Sequence, residues 1–392
     1  MKLSTMGFEP AKIAKLDEMF PVQDLLFQTG QLVQYASGIF GYGTVPFRVM
    51  GKIEQIIRDV LDEIGCAEVS LPILQPESLW QESKRWDPYV RDGTMLVVKT
   101  EKGNFCVAPT AEEAIVNFAK KQIKSYKNLP ATYYQIGPKF RNELRNRGYL
   151  LRGKNFNMMD AYSFDMTEKA MTETYVKMKS AYFEIFKRLG LAVIPVTADS
   201  GAIGGDNSEE FMFVHPAGED TIYIDKKTGK GYNLEVLDKY KIDPKKCEEA
   251  RTIEFGHIFA LGKDKYSVTM NATYRDASDK AQPFWMGCYG IGVSRLLAVI
   301  YETSARRDAN GNVIGISLPE CVAPYKYQII YTPARQTDAE KFYATHKAES
   351  ILDDRTNVTF GAKIHDAKKL GTPNIVIFGD KTKGDKYELE SI

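Results

Sequence analysis

The sequence predicts an α+β protein: a mainly antiparallel sheet flanked by helices, followed by a small C-terminal α/β module. Three patterns predict this. Residues 133–165 hold two runs with a period of two. The first sets Gln135, Lys139, Arg141 and Glu143 against Tyr134, Ile136 and Phe140, and the second aligns Phe156, Met158, Asp160, Tyr162 and Phe164, so the pair reads as an antiparallel hairpin. Segments 46–65 and 167–190 carry apolar residues at helical spacing. From residue 325 onward strands and helices alternate, the pattern of a small α/β unit.

Composition bounds what the chain is. Its 392 residues, 44% of them hydrophobic, support a large core and two domains rather than one. Lysine plus arginine number 52 against 51 acidic residues, a formal charge of +1, which argues against a tail that binds nucleic acid by charge alone. The five cysteines, Cys66, Cys106, Cys247, Cys288 and Cys321, are scattered and never arranged as CxxC, which suits a reducing compartment without a cysteine zinc site. None of the four histidines has HExxH spacing. No apolar run reaches membrane-spanning length, and an arginine-rich or apolar leader is missing. The expectation is a cytoplasmic protein; an organellar matrix protein whose presequence had been removed would look identical.

Segment 21–43 is a short amphipathic stretch ending in a glycine-rich turn. In 46–65, Val49, Ile53, Ile56, Val60 and Ile64 mark a long amphipathic helix that Gly65 stops. CAEVSLPIL follows as a β-prone run with Pro72, placing it at a sheet edge. That edge either pairs with a second copy of the chain or closes an ordinary monomer. In APTAEEAIVNF, Thr110 reads as an N-cap with Glu113 completing a capping box, which leaves Glu112 free to meet a cationic amine. After the hairpin, Met171, Tyr175, Met178, Tyr182, Ile185 and Leu189 form the stripe of a helix packed on a sheet. LAVIPVTA is a strand, and DSGAIGGDNSEEF a glycine-rich turn into another. Residues 225–251 read as a charged surface excursion. EFGHIFALG is a strand carrying His257, either a hydrogen-bonded structural histidine or a site residue. In the final module YKYQIIYT is a strand, DAEKFYATHKAESIL and AKIHDAKKLG are helices, and NIVIFGD is a strand, with a boundary near 318–324.

Two stretches carry the chemistry. The hairpin offers Arg141 and Arg152 around a basic connection, beside an aromatic ring and carboxylates. Guanidinium groups bind phosphate oxygens bidentately and an aromatic face stacks on a base, so the hairpin suits a nucleoside triphosphate; a solvated surface hairpin is the competing reading. PFWMGCYGIGVSRLLAVIYE is the second. Gly290-Ile-Gly292 looks superficially like a dinucleotide fingerprint, but arginine holds the last position and no βαβ setting follows, so a dinucleotide-dependent oxidoreductase is disfavoured. Instead, small residues let a strand approach a ligand, and Arg295 projects from the first turn of a helix, a place for a terminal phosphate.

These motifs together resemble the class II aminoacyl-tRNA synthetases, most closely the bacterial-type prolyl group in a short form without the editing insertion. The helix and GCAEVSLPIL match the first class motif, KFRNE with NFNMMDAYSF the second, and GCYGIGVSR the third. WQESKRW, PTAEE, SYKNLP, DSGAIGG and GHIFALG match the prolyl group in order and spacing, and LDDR with AKIHDAKKLGTPNIVIFGD resembles its anticodon-binding domain. The resemblance covers nearly the whole chain. It implies a class II catalytic domain over 1–320, in which 225–251 stands where relatives carry an editing domain, and a shortened anticodon-binding-like domain over 321–392. It also implies activation of L-proline with ATP and Mg2+ and transfer to tRNA(Pro), with tRNA rather than DNA as partner, no membrane, and a homodimer. By resemblance Arg141 holds the α-phosphate and the substrate carboxylate, Glu143 the adenine amino group, and Phe156 stacks on the ring. Arg152 and Arg295 face the outer phosphates. Thr110 and Glu112 bind the proline amine, while Asp160, Phe164, His257 and Cys288 shape its pocket, and Glu254 is the candidate for magnesium. A catalytically reduced paralogue that binds tRNA or regulates another enzyme is the alternative; the presence of Arg141, Glu143 and Arg295 favours the enzyme.

Overall fold

The computed structural model describes residues 1–9, 15–143, 146, 148–205 and 207–391. They form two compact units, one of Glu54–Asn146 with Gly153–Val293, the other of Met1–Ile53, Arg147–Arg152 and Ser294–Ile392. The chain passes from the second unit into the first within helix α1 (Thr44–Glu63). Its buried stripe is Val49, Ile53, Ile57 and Val60. Ile57 thus replaces the expected Ile56, because a straight 3.6-residue period continues from Ile53 by four. Gly65, at φ +79°, ends the helix, with the Cys66 N–H donating back to the Leu61 carbonyl.

The larger unit is built on a nine-stranded sheet: β1 (Ala67–Glu68), β2 (Ala131–Phe140), β3 (Asn155–Asp165), β4 (Ile194–Ala198), β5 (Asn207–Val214), β6 (Asp220–Asp225), β7 (Gly231–Asn233), β8 (Cys247–Gly262) and β9 (Trp285–Gly292). Their order is β5-β4-β7-β6-β8-β9-β3-β2-β1, with β5 also paired to β8. Every pairing is antiparallel except β1 with β2 and β7 with β4. The expected antiparallel sheet and its central hairpin β2–β3 are both present. The basic connection between those strands includes Leu144, Arg145 and Arg147, which lie outside the described residues.

Three local expectations are corrected. The run from Cys66 to Leu74 lies at the sheet edge as expected but is not one strand: only β1 pairs with β2 before Pro72, and Leu74 then opens a separate strand, Leu74–Pro76, antiparallel to Gly103–Val107. Residues 225–251 are not a bare surface excursion: β7 and the start of β8 lie there, and β6 pairs along β8 from Asp225↔Cys247 to Asp220↔Thr252. The charges sit on the outer faces while Ile222 and Val236 are buried. The capping box at Thr110 does not form: the helix starts at Glu112, and its N-cap Ala111 offers no side-chain hydrogen bond.

Helix α2 (Glu112–Gln122) and helix α3 (Glu168–Arg188) belong to this unit. Thr167 caps α3, its hydroxyl accepting from the Ala170 N–H at 3.2 Å. The stripe Met171, Tyr175, Met178, Tyr182 and Ile185 is buried, as its spacing predicts, and α3 packs on β3, β8 and β9. Gly256 lets the helix come close: a Cβ there would stand 2.9 Å from the Tyr182 ring and 2.9 Å from the Gly290 carbonyl.

In the smaller unit, helix Pro21–Gln28 precedes a hairpin of Leu32–Ala36 and Ile39–Tyr42, where the sequence suggested only a turn. Helix α4 (Val293–Thr303) is apolar on nearly every side and correspondingly buried from Leu296 to Tyr301. The last four strands, β10 (Tyr327–Tyr331), β11 (Ser350–Leu352), β12 (Asn374–Phe378) and β13 (Glu388–Ser391), form a sheet of order β11-β10-β12-β13. Alternation along β10 divides its core: Ile329 and Tyr331 pack with Phe342 of α5 (Gln336–Thr345), Ile330 with Phe360 and Ile364 of α6 (Phe360–Ala367). The segment read as one helix through Leu352 is split, because Ser350–Leu352 pairs in parallel with Tyr327–Ile329 and is fully buried there.

Candidate active site

Register across the larger sheet lines up Gln135, Asp160, Gly290, His257 and Glu210 as successive cross-strand neighbours from β2, β3, β9, β8 and β5. Directly opposed residues share a face, so these five form one polar row. Glycine occupies its middle. A Cβ on Gly290 would meet nothing nearer than the Met158 sulfur at 3.8 Å, so packing does not demand glycine there. The row is a trough with its centre left open. Tyr133, Tyr162, Cys288 and Phe259 form the neighbouring row.

At one end of the trough the polar face of the hairpin is buried rather than solvated. Gln135, Lys139 and Asp160 are each less than 10% exposed. Polar groups so placed need partners, and Asp160 has three. Lys139 Nζ is 2.7 Å from Oδ1, while Gln135 Nε2 (2.8 Å) and the Tyr162 hydroxyl (3.0 Å) donate to Oδ2.

Tyr162 also receives the Ala111 N–H at 3.2 Å, which brings the start of α2 over the sheet. That helix begins at Glu112 with Ala111 as a cap that offers no side-chain hydrogen bond. The Thr110 hydroxyl instead donates to Glu112 Oε2 at 2.6 Å, and Glu113 turns to Ser83 and Arg85. Tertiary ion pairing has outcompeted the local capping box. Arg85 Nη1 reaches Glu112 Oε2 at 3.1 Å and Glu113 Oε1 at 2.9 Å, and Nη2 donates to the Tyr89 hydroxyl. The guanidinium is held among the Trp80, Tyr89 and Tyr266 rings. Cys288 donates its thiol to Glu112 Oε1 at 3.3 Å. Burial pushes that thiol well above the usual range, so it stays protonated. Burial also opposes ionisation of Glu112, but the Arg85 charge and the Thr110 hydrogen bond outweigh it and hold its carboxyl below the ordinary value. Phe164, fully buried, packs in the same core cluster as Cys288, with Phe284 in edge contact at 5.4 Å.

At the other end stand His257, Glu210 and Glu254. A bulge places all three together: Phe211 opposes Gly256 but Met212 opposes Glu254, so Phe255 is the extra residue and Glu254 shares a face with His257 despite the odd spacing. His257 Nδ1 lies 3.5 Å from Glu210 and 4.0 Å from Glu254, and its ring stacks on Phe259 at 3.8 Å. Burial pushes the imidazole down to about 4, so it is neutral. Burial, with the Glu254 charge, pushes the Glu210 carboxyl up to about 8. One ligand atom from each of the three lies within 4.8 Å of the others, and two carboxylates of this kind fit a hard divalent cation.

Beyond the strand end, the Arg141 guanidinium lies over the Phe156 ring, 5.4 Å from its centroid, with Nε donating to the Pro109 carbonyl at 3.2 Å. Glu143 follows it, half-buried. The larger unit therefore gathers Thr110, Glu112, Asp160, Phe164 and Cys288 in one cluster, Arg141 with Phe156 in a second, and His257 with Glu254 in a third. Arg152 and Arg295 belong to the smaller unit, where Arg295 Nε donates to the Leu151 carbonyl at 3.0 Å. Sequence reasoning missed Arg85 and Glu210, and it put Gln135 and Lys139 on the hairpin's polar face without their buried contacts to Asp160. Arg85 sits inside WQESKRW between residues that become buried, and a cation flanked by two tryptophans was the available signal.

Residues 96–304 match the family described as the tRNA synthetase class II core domain (G, H, P, S and T). The chain is 37% identical over 409 residues to the proline–tRNA ligase of Anaplasma marginale (strain St. Maries), covering 98% of this chain and 94% of that one. It is 38% identical over 405 residues to the proline–tRNA ligase of Ehrlichia ruminantium (strain Gardel), covering 97% and 93%. A Giardia lamblia prolyl-tRNA synthetase solved in complex with prolyl-adenylate shares the fold at a TM-score of 0.72 and 17% identity, over 94% of this chain and 74% of that one. With half of its length in the class II core and nearly all of it aligned to these enzymes, the chain belongs to the class II aminoacyl-tRNA synthetases, in the proline–tRNA ligase family.

Proposed function

We propose that the chain activates L-proline with ATP to prolyl-adenylate and transfers the prolyl group to tRNA(Pro), releasing pyrophosphate and AMP. The observation that carries this reading is the fully buried Glu112 carboxylate, held by Thr110 and Arg85 beside Cys288. It holds a fixed negative charge against the row next to the trough, suited to the ammonium of a compact apolar amino acid. In the first step the proline carboxylate attacks the α-phosphorus in line and pyrophosphate leaves. In the second, a hydroxyl of the terminal tRNA ribose attacks the acyl carbonyl and AMP leaves. Neither step needs a strong base from the protein, so positioning and charge neutralisation carry the rate.

Arg141 holds the substrate carboxylate against the α-phosphate, Phe156 stacks on adenine and Glu143 accepts from its amino group. Arg152 and Arg295 meet the outer phosphates, while Asp160, Phe164, His257 and Cys288 shape the proline pocket. Glu254, together with Glu210, would hold Mg2+ that is bound chiefly through the ATP phosphates, and the ion supplies neutralisation of phosphate charge. Residues 1–320 form the catalytic domain, without editing in cis, and 321–392 an anticodon-binding-like domain. Two chains associate through the β1 edge, and the enzyme works in the cytoplasm.

Proline-dependent ATP–pyrophosphate exchange with magnesium tests this. Exchange should require proline and fall about a hundredfold or more in Arg141→Ala, as loss of a charge-assisted contact to the transition state predicts. A folded sample that gives no exchange with any amino acid would leave the catalytically reduced paralogue.

A further inference from the structure

The triad of Arg85, Glu112 and Glu113 is sealed from solvent, with all three side chains under 5% exposed. One guanidinium faces two carboxylates, and among the described residues no other cation forms an ion pair with either. If both acids were ionised, the cluster would carry a buried net charge, which is costly. Their partners differ. Glu112 uses both oxygens, Oε2 for Thr110 and Arg85 and Oε1 for Cys288. Glu113 takes both its donors, Ser83 at 2.7 Å and Arg85 at 2.9 Å, on Oε1. Its Oε2 is buried without a hydrogen-bond partner. An ionised oxygen there would lose hydration and receive nothing in exchange, whereas a carboxyl O–H leaves only a neutral donor unmet.

We propose that Glu113 holds the proton of this triad, so that Arg85 commits its charge to Glu112 and acts as the positioning residue that fixes Glu112 for the substrate's secondary ammonium. The proposal rests on the reading of Glu112 as the amine-binding group. The direction of the titration agrees: burial raises the Glu113 carboxyl above its ordinary value and the Glu112 charge raises it further, while Glu112 is held low. The reaction then proceeds with one fixed negative charge at the amine and one fixed positive charge, Arg141, at the carboxylate.

The test combines proline-dependent exchange kinetics with infrared spectroscopy on Glu113→Gln, Glu112→Gln, Arg85→Lys and the Arg85→Lys/Glu113→Gln double variant, each checked for folding by its melting curve. Glutamine is isosteric with a protonated glutamate, so Glu113→Gln should stay within about threefold of the parent in proline KM. Glu112→Gln and Arg85→Lys should each raise proline KM about tenfold or more while leaving ATP KM unchanged. Glu113→Gln should not deepen the Arg85→Lys defect. In the infrared, where the Glu210 carboxyl contributes a protonated band of its own, the difference spectrum against the parent at neutral pH should show a protonated-carboxyl component lost in Glu113→Gln and none lost in Glu112→Gln.

A Glu113→Gln enzyme as damaged as Glu112→Gln, or a band that follows Glu112, overturns the proton assignment. An Arg85→Lys defect shared equally between proline and ATP overturns the positioning role. A parent that exchanges with no amino acid defeats the functional reading, while the infrared spectra still decide where the proton resides.

Discussion

Asp165 ends β3 with its carboxyl buried and only hydroxyl donors nearby, among them Thr174 Oγ1 at 2.8 Å. Burial pushes it up to about 6 from 3.8. The folded state therefore keeps a proton that the unfolded chain has released, and this group's contribution to stability falls as pH rises from 3.8 to about 6 and stays low above that. Asp165→Asn should accordingly stabilise the fold by about 1–2 kcal/mol above that range, an upper bound of about 3 being reduced by water penetration. Melting curves should show no gain below 3.8, the ordinary value. Gly290→Ala separates packing from function at the same scale. Its methyl finds room, with Met158 at 3.8 Å, so the melting temperature should hold. If substrate fills the trough as proposed, exchange should nonetheless weaken about tenfold in KM, because the methyl stands in its way; unchanged kinetics would place the substrate elsewhere.

Among the elements, helix Pro21–Gln28 has no side-chain cap of its own, and Glu302 on α4 accepts from its first free amides, Gln23 N–H at 2.8 Å and Val22 N–H at 3.2 Å. A carboxylate at a helix N-terminus satisfies orphan donors and favours the dipole. Glu302→Ala should cost about 2 kcal/mol, read as a lower denaturation midpoint with unchanged slope. Gly256 is the corresponding point in the larger unit. Gly256→Ala forces either Tyr182 or the β9 backbone to move and should destabilise by about 2 kcal/mol. Helices were the more legible elements, since α1 and α3 announce themselves through long apolar stripes. The short strand Ser350–Leu352 was not legible, because it owes its existence to a partner strand distant in sequence.

For the whole molecule, β1 leaves the large sheet with a two-residue edge, and Ile73 (38%) and Leu74 (48%) stand exposed just beyond it. Apolar residues beside an open edge are the expected mark of pairing between copies. Light scattering should find a mass of two chains at micromolar concentration, and Ile73→Asp with Leu74→Asp should shift it toward one. A single-chain mass for the parent would count against the dimer.

The sequence by itself determined the α+β architecture, the central hairpin and the two long helices, because periodicity and ordered motifs are local properties of the chain. Tertiary structure decided how the polar residues are charged and joined. Whether Glu113 caps a helix or meets Arg85, whether Lys139 faces water or Asp160, and whether Glu254 falls beside His257 all depend on contacts between distant segments and on one bulged residue, Phe255. Burial and ion pairing act through space, and no spacing along the chain encodes them.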